Sequence, residues 1–154
     1  MIAPYTAREV PAGLAGRHLV SVAYRHIGFE PEGVIDADLV GVILGFEDGV
    51  RSITWAMDGE VEGLALLDEA VSGSASEVTD VSARWPVGEQ LVSVEGVWQE
   101  PSALWALRLQ FESRSIVVAL GEFDGVLRYL PDEIVVIFDP DVAGAYMISP
   151  GWGG

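Results

Sequence analysis

The sequence predicts a mainly-β protein: a sandwich or a partly open barrel of about eight strands, with a short C-terminal helix. Short segments of alternating apolar and polar residues recur along the chain and are separated by glycine-rich turns. The 154 residues include 18 glycines and 8 prolines. Several strings from the first half also return in the same order in the second. We therefore expect a single domain over residues 1–154 with an internal repeat, 16–69 and 88–133.

The repeat is visible in short strings that alternation alone does not produce. Gly-x-x-Leu-Val-Ser-Val occurs twice, as do Phe-Glu followed by Arg-Ser-Ile, and Gly-Glu-x-acid-Gly. Two unrelated β meanders would share only alternation, which is the alternative explanation. The matched segments are 16–22 with 88–94, 46–53 with 111–116, and 59–64 with 121–126.

Strand parity extends the match between the halves. Residues i and i+2 share a face of a strand, so the apolar parity predicts which side chains point inward. The turn after Phe46 is interpreted as two residues longer than the turn after Phe111, and an even difference preserves the faces. The inward sets are Val20, Val22, Tyr24 and His26 with Val92, Val94, Gly96 and Trp98. Phe46, Trp55, Trp105 and Phe111 are predicted to be buried.

The individual elements follow from turn signals and apolar runs. Strands are predicted at 17–29, 38–46, 50–57, 60–68, 90–98, 103–112 and 115–121. The run Ile134–Phe138 predicts a strand that is buried on both faces. Asp139 before Pro140 predicts an N-cap and a helix over 140–146. Residues 72–76 are expected to be a linker, and residues 150–154 a mobile tail.

The charge restricts the classes of partner. The chain has 24 acidic and 8 basic residues and a formal net charge of −16. Such a charge repels nucleic-acid phosphates and anionic lipid, so we expect no nucleic acid and no membrane, and any protein partner should be basic. A general solubility device is the alternative explanation of the charge.

Several kinds of chemistry lack the residues they need. The chain has no cysteine, and its sequence contains no lysine, which removes thiolate, Walker-lysine and Schiff-base chemistry. No apolar run approaches the roughly 20 residues of a membrane span, and Met1 to Ala15 does not look like a signal peptide. We therefore expect a cytoplasmic protein without a cofactor.

The titratable residues predict neither a metal site nor a catalytic one. His18 and His26 lie about 26 Å apart on a regular strand, too far to share one metal ion or one proton. Acidic residues two positions apart, such as Asp36 and Asp38, are frequent in a chain this acidic, and none begins a calcium loop. The sequence therefore predicts a protein that is not an enzyme. Trp85, in a connection, and Trp152, in the tail, are the candidates for an exposed contact.

One acidic pattern occurs in both halves and is the candidate partner-binding site. Two acids stand between glycines at 59–63 and again at 121–125. Either a basic partner contacts these loops, or the glycines merely bracket tight bends. The candidate residues are Glu60, Glu62, Glu122 and Asp124.

The Ser-Ile-Thr-Trp segment at 52–55 and the Asp-Glu-Ile-Val-Val-Ile-Phe-Asp run at 132–139 resemble small acidic uncharacterised bacterial proteins, some of them immunity-protein-like. The resemblance implies a non-enzymatic acidic domain that masks a basic toxin. A small-molecule binding module with an aromatic-lined pocket between the halves is the alternative. A hydrolase that uses paired carboxylates is a third hypothesis.

Overall fold

A computed structural model shows a mainly-β protein whose principal sheet has ten strands and curls into an open half-barrel. The partly open barrel is therefore confirmed, whereas a sandwich and a count of about eight strands are wrong. The residues that the structure describes contain twelve strands. These residues are 5–9, 16–26, 35–58, 61–67, 77–99, 103–123, 127–128, 133–139 and 141–142.

The strands fall into a first half, residues 5–67, and a second half, residues 77–142. The first half contains β1 (Tyr5–Glu9), β2 (Leu19–His26), β3 (Ile35–Phe46), β4 (Gly49–Asp58) and β5 (Val61–Leu67). The second half contains β6 (Glu77–Asp80), a 3-10 turn (Ser82–Arg84), β7 (Leu91–Gln99), β8 (Ala103–Phe111), β9 (Ser115–Leu120), β10 (Glu122–Phe123), β11 (Leu127–Arg128) and β12 (Ile134–Ile137).

The sheet order brings the two halves together along β12. The order is β1-β7-β8-β9-β12-β3-β2-β6, with β4 paired to β3 and β5 paired to β4. All four side chains of β12 are buried, as the apolar run predicted, and the strand pairs with β9 on one side and β3 on the other. β5 also contacts β8, a strand with which it is not paired. The apolar core therefore lies between the two halves.

The pair β2–β3 of the first half and the pair β7–β8 of the second half have the same register. Seven residue pairs of β2 with β3 match seven pairs of β7 with β8. The residue numbers differ by 72 between β2 and β7 and by 65 between β3 and β8. β-Bulges also interrupt both ladders at the same two places. The end pairs are Leu19–Phe46 and His26–Leu39 in the first half and Leu91–Phe111 and Trp98–Leu104 in the second.

The first of these bulges corrects the predicted faces. The register shifts between Leu19 and Ser21, and at the matching place between Leu91 and Ser93. A bulge inserts one extra residue and so changes the parity of the strand. Val20 is consequently 54% exposed and Val92 53% exposed, although both were expected to face inward. Simple alternation fails here because the bulge interrupts the period of two residues.

The following hairpins also agree, and this corrects the predicted turn length. Phe46 pairs with Gly49, and the Phe111 amide donates to the Arg114 carbonyl at 2.8 Å, so each turn contains two residues. Val42 pairs with Ile53, and Leu107 pairs with Val118. The Arg-Ser-Ile strings are thus offset by two residues in register, and the counterpart of Ile53 is Val118.

The last strands of each half correspond as well. Trp55 to Ser52 pair with Leu64 to Leu67, and Leu120 to Val117 pair with Ile134 to Ile137. In the second half, β12 therefore occupies the position beside β9 that β5 occupies beside β4 in the first half. The second half differs in that the short pair β10–β11 and the residues after it come before β12.

Each half also gives a strand to the other. β1 of the first half pairs with β7, and β6 of the second half pairs with β2. Between these strands, residues 16–19 and 88–91 run antiparallel, and we call them the crossing arms. Four backbone hydrogen bonds join the arms in two matched pairs. They are Gly16 N to Leu91 O (2.7 Å), Gly88 N to Leu19 O (2.8 Å), Leu19 N to Glu89 O (3.0 Å) and Leu91 N to Arg17 O (2.9 Å).

The arms need glycine at equivalent positions. Gly16 has a φ of +90° and Gly88 a φ of +95°. These values lie in the region where residues with a Cβ atom are strained. The glycine that begins each repeated Gly-x-x-Leu-Val-Ser-Val string is thus required by the backbone conformation.

The other expectations have mixed outcomes. Phe46 and Phe111 are buried, Trp55 is half-buried against the core, and the Trp105 side chain lies outside the described residues. The 72–76 linker and the 150–154 tail also lie outside them. Asp139 Oδ1 accepts hydrogen bonds from the amides of Asp141 (2.8 Å) and Val142 (3.4 Å), as an N-cap does. The helix over 140–146 extends beyond the described residues and stays a prediction.

Phe111→Ala should lower the free energy of unfolding by about 3–5 kcal/mol, because it empties a fully buried aromatic site. Val92→Ala, on a bulge at the surface, should change it by less than about 0.5 kcal/mol. Urea unfolding of both variants measures the difference. A loss below about 1 kcal/mol for Phe111→Ala would mean that the core packs differently.

Candidate functional site

A buried polar network joins the two halves and is the most distinctive chemical feature of the described chain. Asp36 on β3 accepts a hydrogen bond from the Tyr24 hydroxyl at 2.7 Å. Arg84 donates to both Asp36 oxygens, from Nε at 2.9 Å and from Nη2 at 2.6 Å. Trp85 Nε1 donates to the Tyr24 oxygen at 2.9 Å. Tyr24 and Asp36 come from the first half, and Arg84 and Trp85 come from the turn after β6.

The Arg84–Asp36 ion pair is the energetic centre of this network. The Asp36 side chain is 0% exposed and that of Arg84 is 26% exposed. A buried carboxylate is costly unless charge and hydrogen bonds compensate it. Arg84 meets that need through two parallel hydrogen bonds, the geometry in which guanidinium and carboxylate fit best. Removing either partner would leave the other charge uncompensated.

Tyr24 stays protonated and supplies the third donor to Asp36. Burial, followed by the negative charge of Asp36, raises the pKa of the Tyr24 hydroxyl well above its ordinary value. The hydroxyl accepts from Trp85 while it donates to Asp36, so its oxygen and its proton are both used. The arrangement holds a charge in place and offers no free proton acceptor.

Trp85 is buried, so the expectation that it is an exposed contact is wrong. Its ring meets Phe111 edge-on at 6.2 Å and Phe138 edge-on at 6.0 Å between centroids. The 3-10 turn that ends at Arg84 folds the chain back, and Trp85 follows it in an extended conformation, as residues before proline favour. A connection between strands here carries a core residue.

Two arginines flank Phe138 beside this network. The guanidinium carbons of Arg84 and Arg114 lie 5.2 Å and 5.4 Å from the Phe138 ring centroid. Arg114 also donates to the Arg84 carbonyl. Cation–π contacts of this kind contribute about 0.5–1 kcal/mol at exposed sites. They tie the chain after β12 to the same turn.

The two histidines occupy separate structural positions, as predicted. His26 is buried, and its Nε2 lies 2.7 Å from Thr79 Oγ1 on β6. His18 is exposed, and its Nδ1 lies 3.4 Å from a Glu47 oxygen in the turn between β3 and β4. No cluster of three metal-ligating side chains is found in the part of the chain that the structure describes.

The crossing arms hold the hairpin turns by contacts at equivalent positions with different chemistry. In the first half, Arg17 forms an ion pair with Asp48 and His18 contacts Glu47. In the second half, hydrogen bonds replace the charge pairs. Ser113 donates to the Glu89 carboxylate from its backbone amide and its hydroxyl, both at 2.7 Å. The backbone amide of Gln90 donates to the Glu112 carboxylate at 2.8 Å.

The predicted partner-binding acids belong to two hairpins. Glu62 lies on β5 opposite Met57, and Glu122 lies on β10 opposite Arg128. Glu60, between β4 and β5 in the sequence, and Asp124, between β10 and β11, lie outside the described residues. Glu62 thus follows its turn, whereas Glu122 precedes its own. Because β12, not β10–β11, is the counterpart of β5, the two acidic strings lie in hairpins that are not equivalent.

The network joins the halves on one side only, although the backbone of the two halves matches. The register counterparts of Tyr24 and His26 are Gly96 and Trp98. Asp36 and Asp38 also differ, because Asp36 is buried whereas Asp38 is exposed with a φ of 61°. No local pattern in the sequence marks this site, because its partners are as many as 61 residues apart.

Comparison of the chain with protein-family models, curated proteins and solved structures finds no match. Among the helical residues that the structure describes, none forms a helix long and apolar enough to cross a bilayer.

Asp36→Asn should lower the free energy of unfolding by about 3 kcal/mol, because it leaves the Arg84 charge without its buried partner. Asp38→Asn is the matched control two residues away, and Asn tolerates the positive φ there. It should change the stability by less than about 0.5 kcal/mol. Equal effects in urea unfolding would contradict the central place of the ion pair.

Tyr24 should also govern the alkaline limit of stability. Because its pKa is raised in the folded state, its contribution is complete below the unfolded tyrosine pKa of about 10 and is lost as pH rises above that value. Tyr24→Phe should flatten the fall of the unfolding free energy between about pH 9.5 and 11.5. An unchanged slope in that window would show that other groups cause the fall.

Proposed function

We propose that this protein is a non-enzymatic, cytoplasmic, acidic interaction domain that binds a basic protein partner, as an immunity protein binds a toxin. The observation that carries the proposal is the placement of charge. Arg17, Arg84 and Arg108 form ion pairs within the chain, so they offer little positive charge to a partner. Each ion pair uses one acid and one base, so the net charge of −16 stays with the remaining side chains.

The state of the buried polar groups supports a binding role over a catalytic one. Asp36 holds three hydrogen bonds, and the Tyr24 hydroxyl both donates and accepts. A catalytic acid or base needs a proton that it can exchange with a substrate. These groups instead act as a fixed clamp between the halves.

We also propose that the two halves arose by duplication. The equal registers of β2–β3 and β7–β8 support this, with bulges at the same places. The reciprocal pairing of β1 with β7 and of β6 with β2 supports it further. Matching backbones with different side chains are what divergence after duplication would leave.

The hairpin acids Glu60, Glu62, Glu122 and Asp124 remain the proposed partner contact. The register makes the first hairpin the stronger candidate, because Glu62 is paired in the ladder with Met57 whereas Glu122 is paired with Arg128. An opposite charge at a cross-strand position offsets part of the field that a partner would meet. We expect the first hairpin to contribute more to binding than the second.

A salt series tests whether charge steers the association. The immobilised protein is used to capture a basic partner from the source lysate, and the purified partner is then mixed with it in a stopped-flow instrument. The association rate should fall at least tenfold between 0.05 M and 0.5 M salt, because the screening length shrinks. A rate that is independent of salt would contradict the proposal and favour an uncharged pocket.

Charge reversal tests the hairpin acids themselves. Changing Glu60, Glu62, Glu122 and Asp124 to Arg should slow association more than the same change at four other acids. The control set is Glu9, Glu30, Glu32 and Asp141, which alters the net charge equally. Equal slowing by both sets would show that only bulk charge matters.

A further inference from the structure

The strand β6 forms an end of the principal sheet. Of the strands that the structure describes, β6 pairs with β2 alone. An edge strand presents a row of backbone N–H and C=O groups that another chain can pair with. The Val78 side chain, in the middle of β6, is 55% exposed.

The direction of these backbone groups follows from the ladder. The Val81 amide, next along the chain, donates to Val22 on β2 at 2.8 Å. Backbone groups point to alternate sides along a strand in an antiparallel ladder. The N–H and C=O groups of Thr79 therefore point toward β2, whereas those of Val78 and Asp80 point away from it.

The charge of this edge points to a basic occupant. Glu77 and Asp80 are exposed at the two ends of β6. Val81 N–H already pairs with β2 and the Ser82 amide donates to the Asp80 side chain at 2.8 Å, so the chain turns inward directly after the strand. This hydrogen bond lowers the pKa of the Asp80 carboxyl, which is therefore charged at neutral pH.

The opposite end of the sheet provides an internal comparison. β1 pairs with β7 as β6 pairs with β2, so that Ala7 holds the register position of Val78. In the same comparison Arg8 stands where β6 has Thr79. β1 thus carries an arginine where β6 has a threonine. Of these two end strands, β6 has two acidic residues and no basic one.

We propose that an extended, basic segment of the partner adds to the sheet as a strand beside β6. Backbone pairing with Val78 and Asp80 would supply affinity, as in other strand additions. Glu77 and Asp80 would select a positively charged segment. This inference rests on the proposed function and specifies how the partner binds.

A synthetic peptide tests the inference directly. The probe is a fluorescent acetyl-Arg-Thr-Arg-Thr-Arg-Thr-Arg-amide, and its counterpart carries N-methyl groups on alternate residues. The counterpart has the same charge but cannot complete a ladder. Fluorescence anisotropy at 0.1 M salt should show about tenfold weaker binding of the N-methylated peptide to the full chain, the effect of a lost backbone hydrogen bond or two.

Matched proline variants locate the edge. Val78→Pro removes an amide that faces away from β2, a position where edge strands tolerate proline. It should weaken binding of the unmodified peptide about tenfold, because a carbonyl of the peptide loses its donor on β6. Ala7→Pro, at the equivalent position of β1, should change binding less than twofold. Unfolding midpoints verify that both variants are folded.

The outcomes separate this inference from the proposed function. Equal binding of the two peptides, or an equal effect of the two proline variants, would overturn strand addition at β6 and leave charge-driven binding in place. Failure of the unmodified peptide to bind would also overturn it. The salt dependence measured with the captured partner tests the proposed function independently of these peptides.

Discussion

The structure depends on the crossing of the two arms, 16–19 and 88–91. Each arm gives two backbone hydrogen bonds to the other, so neither half completes its ladder alone. The same exchange continues outward, where β1 covers β7 and β6 covers β2. An interface in which residue i contacts j and j contacts i is the arrangement of a twofold dimer. Here one chain supplies both sides, and the apolar core fills the space between them.

The polar network then breaks this approximate symmetry. Tyr24, Asp36, Arg84 and Trp85 join the halves on one side, where the other half has Gly96 in place of Tyr24. A buried ion pair stabilises little by itself, but it disfavours arrangements that leave either charge unpaired. The network therefore fixes the relative placement of β2, β3 and the turn after β6.

Local pattern predicted the β class, the buried strand after residue 133 and the repeated strings, because alternation and turn chemistry act over a few residues. It failed at Val20 and Val92, where bulges change the parity, and at Trp85, whose burial depends on strands far along the chain. The Arg84–Asp36 pair spans 48 residues, so no local signal marks it. The hairpin acids could be named from the sequence, but their unequal positions required the register.

Amide hydrogen exchange at the crossing arms tests the central claim most directly. The account predicts that the amides of Gly16, Leu19, Gly88 and Leu91 exchange at one common slow rate. That rate should equal the slowest rate of the core strands, because the arms open only when the protein unfolds. Exchange of the Gly16 and Leu19 amides at least a hundredfold faster than that of the Gly88 and Leu91 amides would show that one arm opens alone. The reciprocal hydrogen bonds between the crossing arms would then not be the constraint that holds the halves together.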